Sequence, residues 1–461
     1  MFRVLHLLNL LLNEEFIKVP DKWIRIEHEN KTANMAKRIY LCLAHMSGNE
    51  QKYIQEAFDT NWVVPLGPNV NGFEDDLKQF VTSGSIENAD TQSLLQDKQV
   101  VALSAGTAAV HLALIACGVQ TGDEVCVQSF TFCASSHPIT YLGAKPVFID
   151  SEADSWNMDP ALLEQAILDR KAKTGKYPKA IIPVALYGMP YRIHEILTIA
   201  NKYGIPVIED AAEGFGSRHQ GQVLGTFGEY GVLSFNGNKM ITTSGGGALI
   251  CPNAEAKQKV MWYATQAREA YPYYQHEAIG YNYRMSNICA GIGRGQMTVV
   301  DEHIRHHKHI ADLYEQAFSH IDGITFHKNP TAEYDSNYWL NTITLDPALR
   351  IMGQEHAYEV AVQGAVGGAA GVTHAATTLR TDCQPNDNVE ALRMFLDQAN
   401  IESRPVWKPM HKQPVYKDAP AYLNGVSESL FKVGMCLPSG PMVSDEDVAY
   451  IMDTIRKAIV G

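Results

Sequence analysis

"KAIIPVALYG" (residues 179–188), "RIHEILTIANKYG" (192–204) and "IPVIEDAAE" (205–213) follow one another along the chain, and their reading decides the fold. The first and last are short apolar runs without polar alternation, so each is a strand buried on both faces. Between them apolar residues recur at helical spacing and stop at a glycine. A buried strand, a helix and a second buried strand make a parallel pair with the helix crossing the sheet.

The same unit repeats outward from there. "VVALSA" (100–105) runs into "GTAAVHLALIACG" (106–118), and "EVCVQSFTF" (124–132) into "CASSHPITYLG" (133–143). "KPVFIDS" (145–151) precedes "DPALLEQAILDRKAKTG" (159–175), where Asp159 can cap a helix that has Pro160 at its first position. "FGEYGVLSFNGNK" and "GGGALICP" read as further strands. The fold class is therefore α/β, a mostly parallel sheet between helices. Ligands of such sheets gather beyond the carboxyl ends of the strands, here "SAGTA", "SFTF", "ALYG" and "EDAAE". A long helical stretch (286–318) then leads to a smaller α/β C-terminal domain, expected over residues 320–461. It carries an Ala/Gly-rich insertion near 350–386. The large domain is expected over 35–319. Residues 1–34 are expected to lie outside the fold, because patterned sequence begins only at Met35.

The bulk numbers bound the partners. The chain has 461 residues and a formal net charge of −13, which argues against nucleic acid and anionic membrane as main partners. No run reaches the ~18 apolar residues of a membrane span. The eight cysteines form no C-x-x-C pair, and they read as reduced core residues of a cytoplasmic protein.

Four features at strand ends carry chemistry. Gly106 and Thr107 open a helix whose free N–H groups can hold a phosphate, although a plain strand-to-helix turn has the same sequence. Phe130 and Phe132 follow a buried strand, and one of them can stack on a flat ring or simply pack in the core. Asp210 ends a buried strand, where a carboxylate needs a partner. It can hold the proton of a pyridine nitrogen or cap a turn. Lys239, in "SFNGNKMITTSGGG" (234–247), is followed by no other cation before Lys257. A desolvated lysine loses its charge readily and can form a Schiff base. Ser234, on the same stretch, can donate to a phosphate. In this order, these are the parts of a pyridoxal-phosphate site.

The chain resembles the DegT/DnrJ/EryC1/StrS family of pyridoxal-phosphate sugar aminotransferases from about Arg38 to the C-terminus, apart from the Ala/Gly-rich segment. Within that family it is most similar to the 4-aminotransferases of the UDP-N-acetylbacillosamine pathway. The resemblance is carried by "GNEQKYI", "VPLGPNVNGFE", "SFNGNKMITTSGGG", "TQARE", "GYNYRMSN", "RPVWKPMHKQPVY", "AYLNG" and "CLPSG". It implies the fold type I architecture of aspartate aminotransferase and pyridoxal 5'-phosphate as cofactor. It implies that Lys239 bonds to the cofactor, Phe132 stacks on its ring, Asp210 pairs with its nitrogen, and Gly106, Thr107 and Ser234 hold its phosphate. It also implies a homodimer in which Asn282 reaches the partner subunit's cofactor. Some members of the family carry histidine at the lysine position and act as dehydratases; lysine here favours transamination.

The activity implied is transfer of the amino group of L-glutamate to C4 of a UDP-2-acetamido-2,6-dideoxy-4-ketohexose, for bacillosamine-type glycans. Alternatives are a dTDP-deoxysugar or 3-keto substrate, or a pyridoxal-phosphate-binding sensor without turnover. "VPLGPNVNGFE" and "RPVWKPMHKQPVY" are expected to line the sugar pocket. Arg404, Trp407 and His411 offer groups for the sugar or its diphosphate, although Trp407 and His411 can equally pack at a domain junction. His303 and His307 stand one turn apart, but nothing completes a metal set and a solvated helix face is expected. Glu209 and Asp210 are adjacent on a strand and point to opposite faces, so they are no glycosidase pair.

Overall fold

The computed structural model describes residues 37–83, 89–364 and 382–460. The 1–34 segment and residues 365–381 of the Ala/Gly-rich stretch lie outside the described residues.

Eight strands build the large sheet: β1 (Gln99–Leu103), β2 (Glu124–Gln128), β3 (Lys145–Ile149), β4 (Ala180–Ile182), β5 (Ile208–Asp210), β6 (Tyr230–Ser234), β7 (Gly247–Cys251) and the two-residue strand Ala421–Tyr422. One ladder is parallel throughout, in the order Ala421–Tyr422, β3, β2, β4. In the other, β5 and β6 are parallel and β7 runs against both β6 and β1. Parallel bridges Ile181↔Val207 and Val184↔Asp210 join the ladders between β4 and β5. The sheet is thus mostly parallel with one reversed strand. Every residue of β6 and β7 is buried, which is why these strands show no polar alternation.

The helices follow their local signals. Asp159 caps α4 (Pro160–Thr174) by accepting from the N–H groups of Ala161 and Leu162, and Gly175 ends it at φ 76°. In α5 (Ile193–Tyr203), Ile193, Ile196 and Ala200 face the sheet. Burying one such aliphatic side chain stabilises the fold by about 1.5–3 kcal/mol. On the opposite face of the sheet packs α3 (Gly106–Ala116), whose Ala109, Leu112 and Ala113 are buried. Ahead of these lie α1 (Glu50–Asp59) and α2 (Pro68–Val81), and α6 (Ala254–Ala264) follows β7.

The long helical stretch is two helices rather than one. α7 (Asn287–Met297) is broken from α8 (Val300–Phe318) at Thr298 and Val299. The break aims α8 at a second sheet of β8 (Ile324–Phe326), β9 (Asn341–Leu345), β10 (Arg404–Pro405) and β11 (Gly434–Leu437), ordered β8-β9-β11-β10 and antiparallel. Ile310, Tyr314 and Phe318 of α8 share a second core with Ile343, Leu392 and Ile455. The expected solvated face of this helix is corrected here: His303 and His307 are both buried. His303 meets His45 at 3.3 Å, and His307 Nδ1 lies 3.1 Å from the Tyr338 carbonyl.

Candidate active site

A cavity of about 410 Å³ opens beyond the carboxyl ends of β1, β5 and β6. Gly106, Thr107, Phe132, Asp210, Ser234, Lys239 and Trp407 all line it. Four of the segments singled out in the sequence therefore meet in one space, as parallel strands with a common direction require.

The N-terminus of α3 supplies the anion cradle. No side chain caps this helix, and Ala105 before it is extended, so its first N–H groups face the cavity. Ser234, at the end of β6, stands beside them. A Cβ on Gly106 would lie 3.1 Å from the Ser234 Cβ, and one on Gly247 would lie 2.4 Å from the Gly106 nitrogen. Both glycines thus let strand and helix approach closely enough to bring the hydroxyl to the helix end.

Asp210 is buried, with its Oδ2 accepting from the Ser135 hydroxyl at 2.7 Å and its Oδ1 from the Ala212 N–H at 3.1 Å. Burial raises its pKa, while Ser135, the Ala212 N–H and the charge of Lys239 pull the other way. A carboxylate so placed can hold a proton on a heterocyclic nitrogen. Glu209 points to the other face and is held by the N–H groups of Gly225, Phe227 and Gly228. Phe130 is fully buried and belongs to the core, whereas Phe132 is 49% exposed with its ring 5.3 Å from that of Trp407. The open aromatic face is therefore that of Phe132.

Lys239 lies in a loop closed on itself by bonds from the Phe235 N–H to the Gly246 carbonyl and from the Thr243 N–H to the Phe235 carbonyl. Its Nζ reaches the cavity 3.6 Å from Glu213 Oε1 and 3.7 Å from the centroid of the Trp339 ring. Glu213, Ser135 and Trp339 are site residues that the sequence reading passed over. On a continued strand Glu213 would point away from Asp210. A turn, with the Gly214 N–H bonded to the Ala211 carbonyl, brings it back. Ser135 and Trp339 carry no local signal; only tertiary packing brings them in.

Other expected residues lie elsewhere. Arg404 is largely exposed and pairs with Glu402 at 2.8 Å, outside the cavity lining. His411 is held between the Ser129 hydroxyl at 2.7 Å and Glu428 at 3.2 Å, the packing arrangement rather than the ligand one. Asn282 is exposed, pairs through its backbone with Thr265, and does not line this chain's own cavity. From "VPLGPNVNGFE" no residue lines the cavity, and from "RPVWKPMHKQPVY" only Trp407 does. Glu74, at the end of the first phrase, is committed to Arg284, Lys257 and the Ala102 N–H. Among the described residues no group of three or more His, Cys, Asp or Glu could hold a metal ion.

An uncapped helix end beside a serine, an open aromatic face, a buried carboxylate and a lysine amine around one space fit pyridoxal 5'-phosphate group by group. With the sheet topology, they define a pyridoxal-phosphate-dependent transferase of fold type I.

Comparison with known proteins narrows this. The model of the DegT/DnrJ/EryC1/StrS aminotransferase family matches residues 44–364 and 354–456. EpsN of Bacillus subtilis, whose name assigns it provisionally as a pyridoxal phosphate-dependent aminotransferase, is 42% identical over 91% of this chain and 96% of its own length. GDP-perosamine synthase of Escherichia coli O157:H7 is 32% identical over 89% of this chain and 96% of its own. The crystal structure of a DegT DnrJ EryC1 StrS aminotransferase from Brucella abortus superimposes with a TM-score of 0.73 at 26% identity, covering 89% of this chain and 95% of that one. The chain belongs to the DegT/DnrJ/EryC1/StrS aminotransferase family. It is a pyridoxal-phosphate-dependent sugar aminotransferase.

Proposed function

We propose that the protein transfers the amino group of L-glutamate to C4 of a UDP-linked 2-acetamido-2,6-dideoxy-4-ketohexose, for bacillosamine-type glycans. The observation that carries transamination is the convergence of Lys239, Asp210 and the free end of α3 on one cavity. When bound, the cofactor withdraws electrons from the amino-bearing carbon of the substrate and so makes its proton removable. Gly106, Thr107 and Ser234 hold the phosphate, and Phe132 covers one face of the ring. Asp210 keeps a proton on the ring nitrogen. Lys239 Nζ would take the proton from the amino-bearing carbon of the donor and pass it to the cofactor within the same half-reaction, and in the reverse half would deliver a proton to the sugar carbon that gains the amine.

The choice of sugar is supported by the phrases shared with bacillosamine-pathway enzymes and by the aromatic pair Phe132 and Trp407 in the cavity wall. A second reading, a GDP-linked 4-keto sugar, is favoured by the similarity to GDP-perosamine synthase. A homodimer with Asn282 reaching the partner's site is supported by Asn282 lying exposed and away from its own cavity. Exposed Trp62, Val63, Val64 and Leu66 offer an apolar face for such a contact. Eight cysteines held as thiols support a cytoplasmic location.

The test has two arms. L-glutamate without a sugar should discharge the cofactor colour; a sensor without turnover would keep it. Then kcat/KM is compared for the UDP-acetamido-4-keto sugar, a GDP-4-keto-6-deoxyhexose and a dTDP-4-keto-6-deoxyhexose. A site that hydrogen-bonds the acetamido group should reject sugars lacking it by up to about 10⁴-fold. Preference for the GDP or dTDP sugar would overturn the substrate assignment.

A further inference from the structure

Lys239 does not project freely into its cavity. Its Nζ lies over the Trp339 indole, 3.7 Å from the ring centroid, and 3.6 Å from Glu213 Oε1. A protonated amine gains from both contacts, since the aromatic face and the carboxylate attract the same charge. Both walls of this niche are held rigidly. Glu213 Oε2 accepts from the Tyr187 N–H at 2.7 Å, which leaves Oε1 to the lysine. Tyr187 itself sits in the left-handed region at φ 53°, a conformation a tyrosine keeps only when its surroundings hold it. Its hydroxyl accepts from the Trp407 N–H at 2.7 Å. The Trp339 indole N–H donates to the Asn238 carbonyl at 2.7 Å, next to the lysine in sequence.

One side chain ties the two walls together. The amide of Asn337, fully buried, donates to the Glu213 carbonyl at 3.0 Å and to the Phe215 carbonyl at 2.9 Å. Its Oδ1 accepts from the Trp339 N–H at 2.8 Å. The carboxylate and the indole are therefore set in register by a residue that touches neither the cavity nor the lysine. Such a buried and satisfied polar hub specifies geometry.

We propose that Glu213 Oε1 and the indole face of Trp339 form a resting berth for the Lys239 amine, occupied when that lysine is neither bonded to the cofactor nor acting on the substrate. Glu213 and Trp339 are positioning residues for the known chemistry, and Asn337 holds them in place. The inference rests on Lys239 being the cofactor-linked lysine. The berth keeps the amine close to its working position between the steps in which it acts. The other groups facing Lys239 are the Asp210 carboxylate, which also favours the ammonium, and the Cys42 thiol. Burial pushes Cys42 up to about 12, so it contributes no charge near neutral pH.

The experiment uses cofactor-free full-length protein. Acetylation of Lys239 by acetic anhydride is followed by peptide mass spectrometry from pH 6 to 11. With Glu213→Gln, Lys239 should be labelled about tenfold faster at pH 7.5, because the carboxylate no longer holds the amine in the berth. Trp339→Leu keeps the carboxylate and its Tyr187 bond and should give a smaller acceleration, about threefold. Trp339→Phe keeps an aromatic face and should follow the wild type. Wild-type profiles in both Glu213→Gln and Trp339→Leu would overturn the berth; if Glu213→Gln does not fold, an unshifted Trp339→Leu does so alone. Labelling of the wild type after adding pyridoxal phosphate separates the two readings. Protection of Lys239 with unshifted variant profiles sinks only the berth, whereas no protection sinks the cofactor-linked lysine and the berth's role with it.

Discussion

Ser135→Ala removes one hydroxyl, 2.7 Å from Asp210 Oδ2, and leaves that buried carboxylate with the Ala212 N–H and the field of Lys239. Burial already raises the Asp210 pKa, and Ser135 is the first of the groups that oppose the rise. A hydrogen bond to an ionised buried group is worth about 1.5–3 kcal/mol. Its loss should lift the Asp210 pKa further. Only the ionised carboxylate can pair with a protonated ring nitrogen, so the variant should bind pyridoxal phosphate less well wherever Asp210 has taken up its proton. The sign follows: the folded pKa moves further above the unfolded value, so the defect is greatest at low pH and fades as pH rises through the shifted pKa. Absorbance titration of cofactor into the apoenzyme from pH 5.5 to 8.5 measures it. Below the shifted pKa the apparent Kd should be about 10- to 100-fold weaker than that of the wild type, and the curves should converge at the alkaline end. Thr131→Val is the control. Thr131 meets Ser135 at 2.9 Å and touches Asp210 only through it, so its effect should be smaller. Equal Kd values for Ser135→Ala and wild type at every pH would refute the argument that Ser135 keeps Asp210 ionised.

Three further outcomes are expected. His307 is fully buried, and burial lowers its pKa from 6.5 to about 3. Its folded value lies below its unfolded one, so stability falls as pH drops below 6.5, by about 2 kcal/mol at pH 5 from this residue. His307→Gln should flatten the acid limb of melting temperature against pH, and an unchanged limb would rule out this histidine as the cause. Glu74→Ala leaves the buried Arg284 guanidinium without its carboxylate at 2.6 Å and should cost about 3–5 kcal/mol, read as a fall in melting temperature. Glu74→Ala with Arg284→Met should recover part of that loss; if the double variant melts no higher than the single one, the unpaired charge is not the source. Mixing Lys239→Ala and Asn282→Ala chains should restore some turnover if Asn282 serves the partner's site, and hybrids that form without any rescue would show that it does not.

Local sequence was enough for the sheet and for much of the site. Strands buried on both faces lose their polar alternation, so β2, β3, β6 and β7 were legible as runs of apolar residues. Parallel strands share one carboxyl edge, so the residues just after them had to meet. That topological rule, rather than any contact, placed Gly106, Phe132, Asp210, Ser234 and Lys239 around one cavity. The cap at Asp159 and the stop at Gly175 were equally local.

Tertiary structure decided what depends on residues far apart in the chain. The break between α7 and α8 carries neither glycine nor proline, and the buried histidines meet residues far off in sequence, His45 and the Met240 carbonyl for His303 and the Tyr338 carbonyl for His307. Arg404, Trp407 and His411 looked alike as ligand candidates because all three are polar or flat and lie in one phrase. Packing put only Trp407 at the cavity, since Glu402 engages Arg404 and the Ser129 hydroxyl and Glu428 engage His411. Glu213 reached Lys239 through a turn that reverses strand alternation, and Trp339 came to the same amine from about a hundred residues away in sequence. Periodicity reports which face of an element is buried, but it does not report which partner waits there; that is settled only when side chains from separate segments compete for the same space and the same hydrogen bonds.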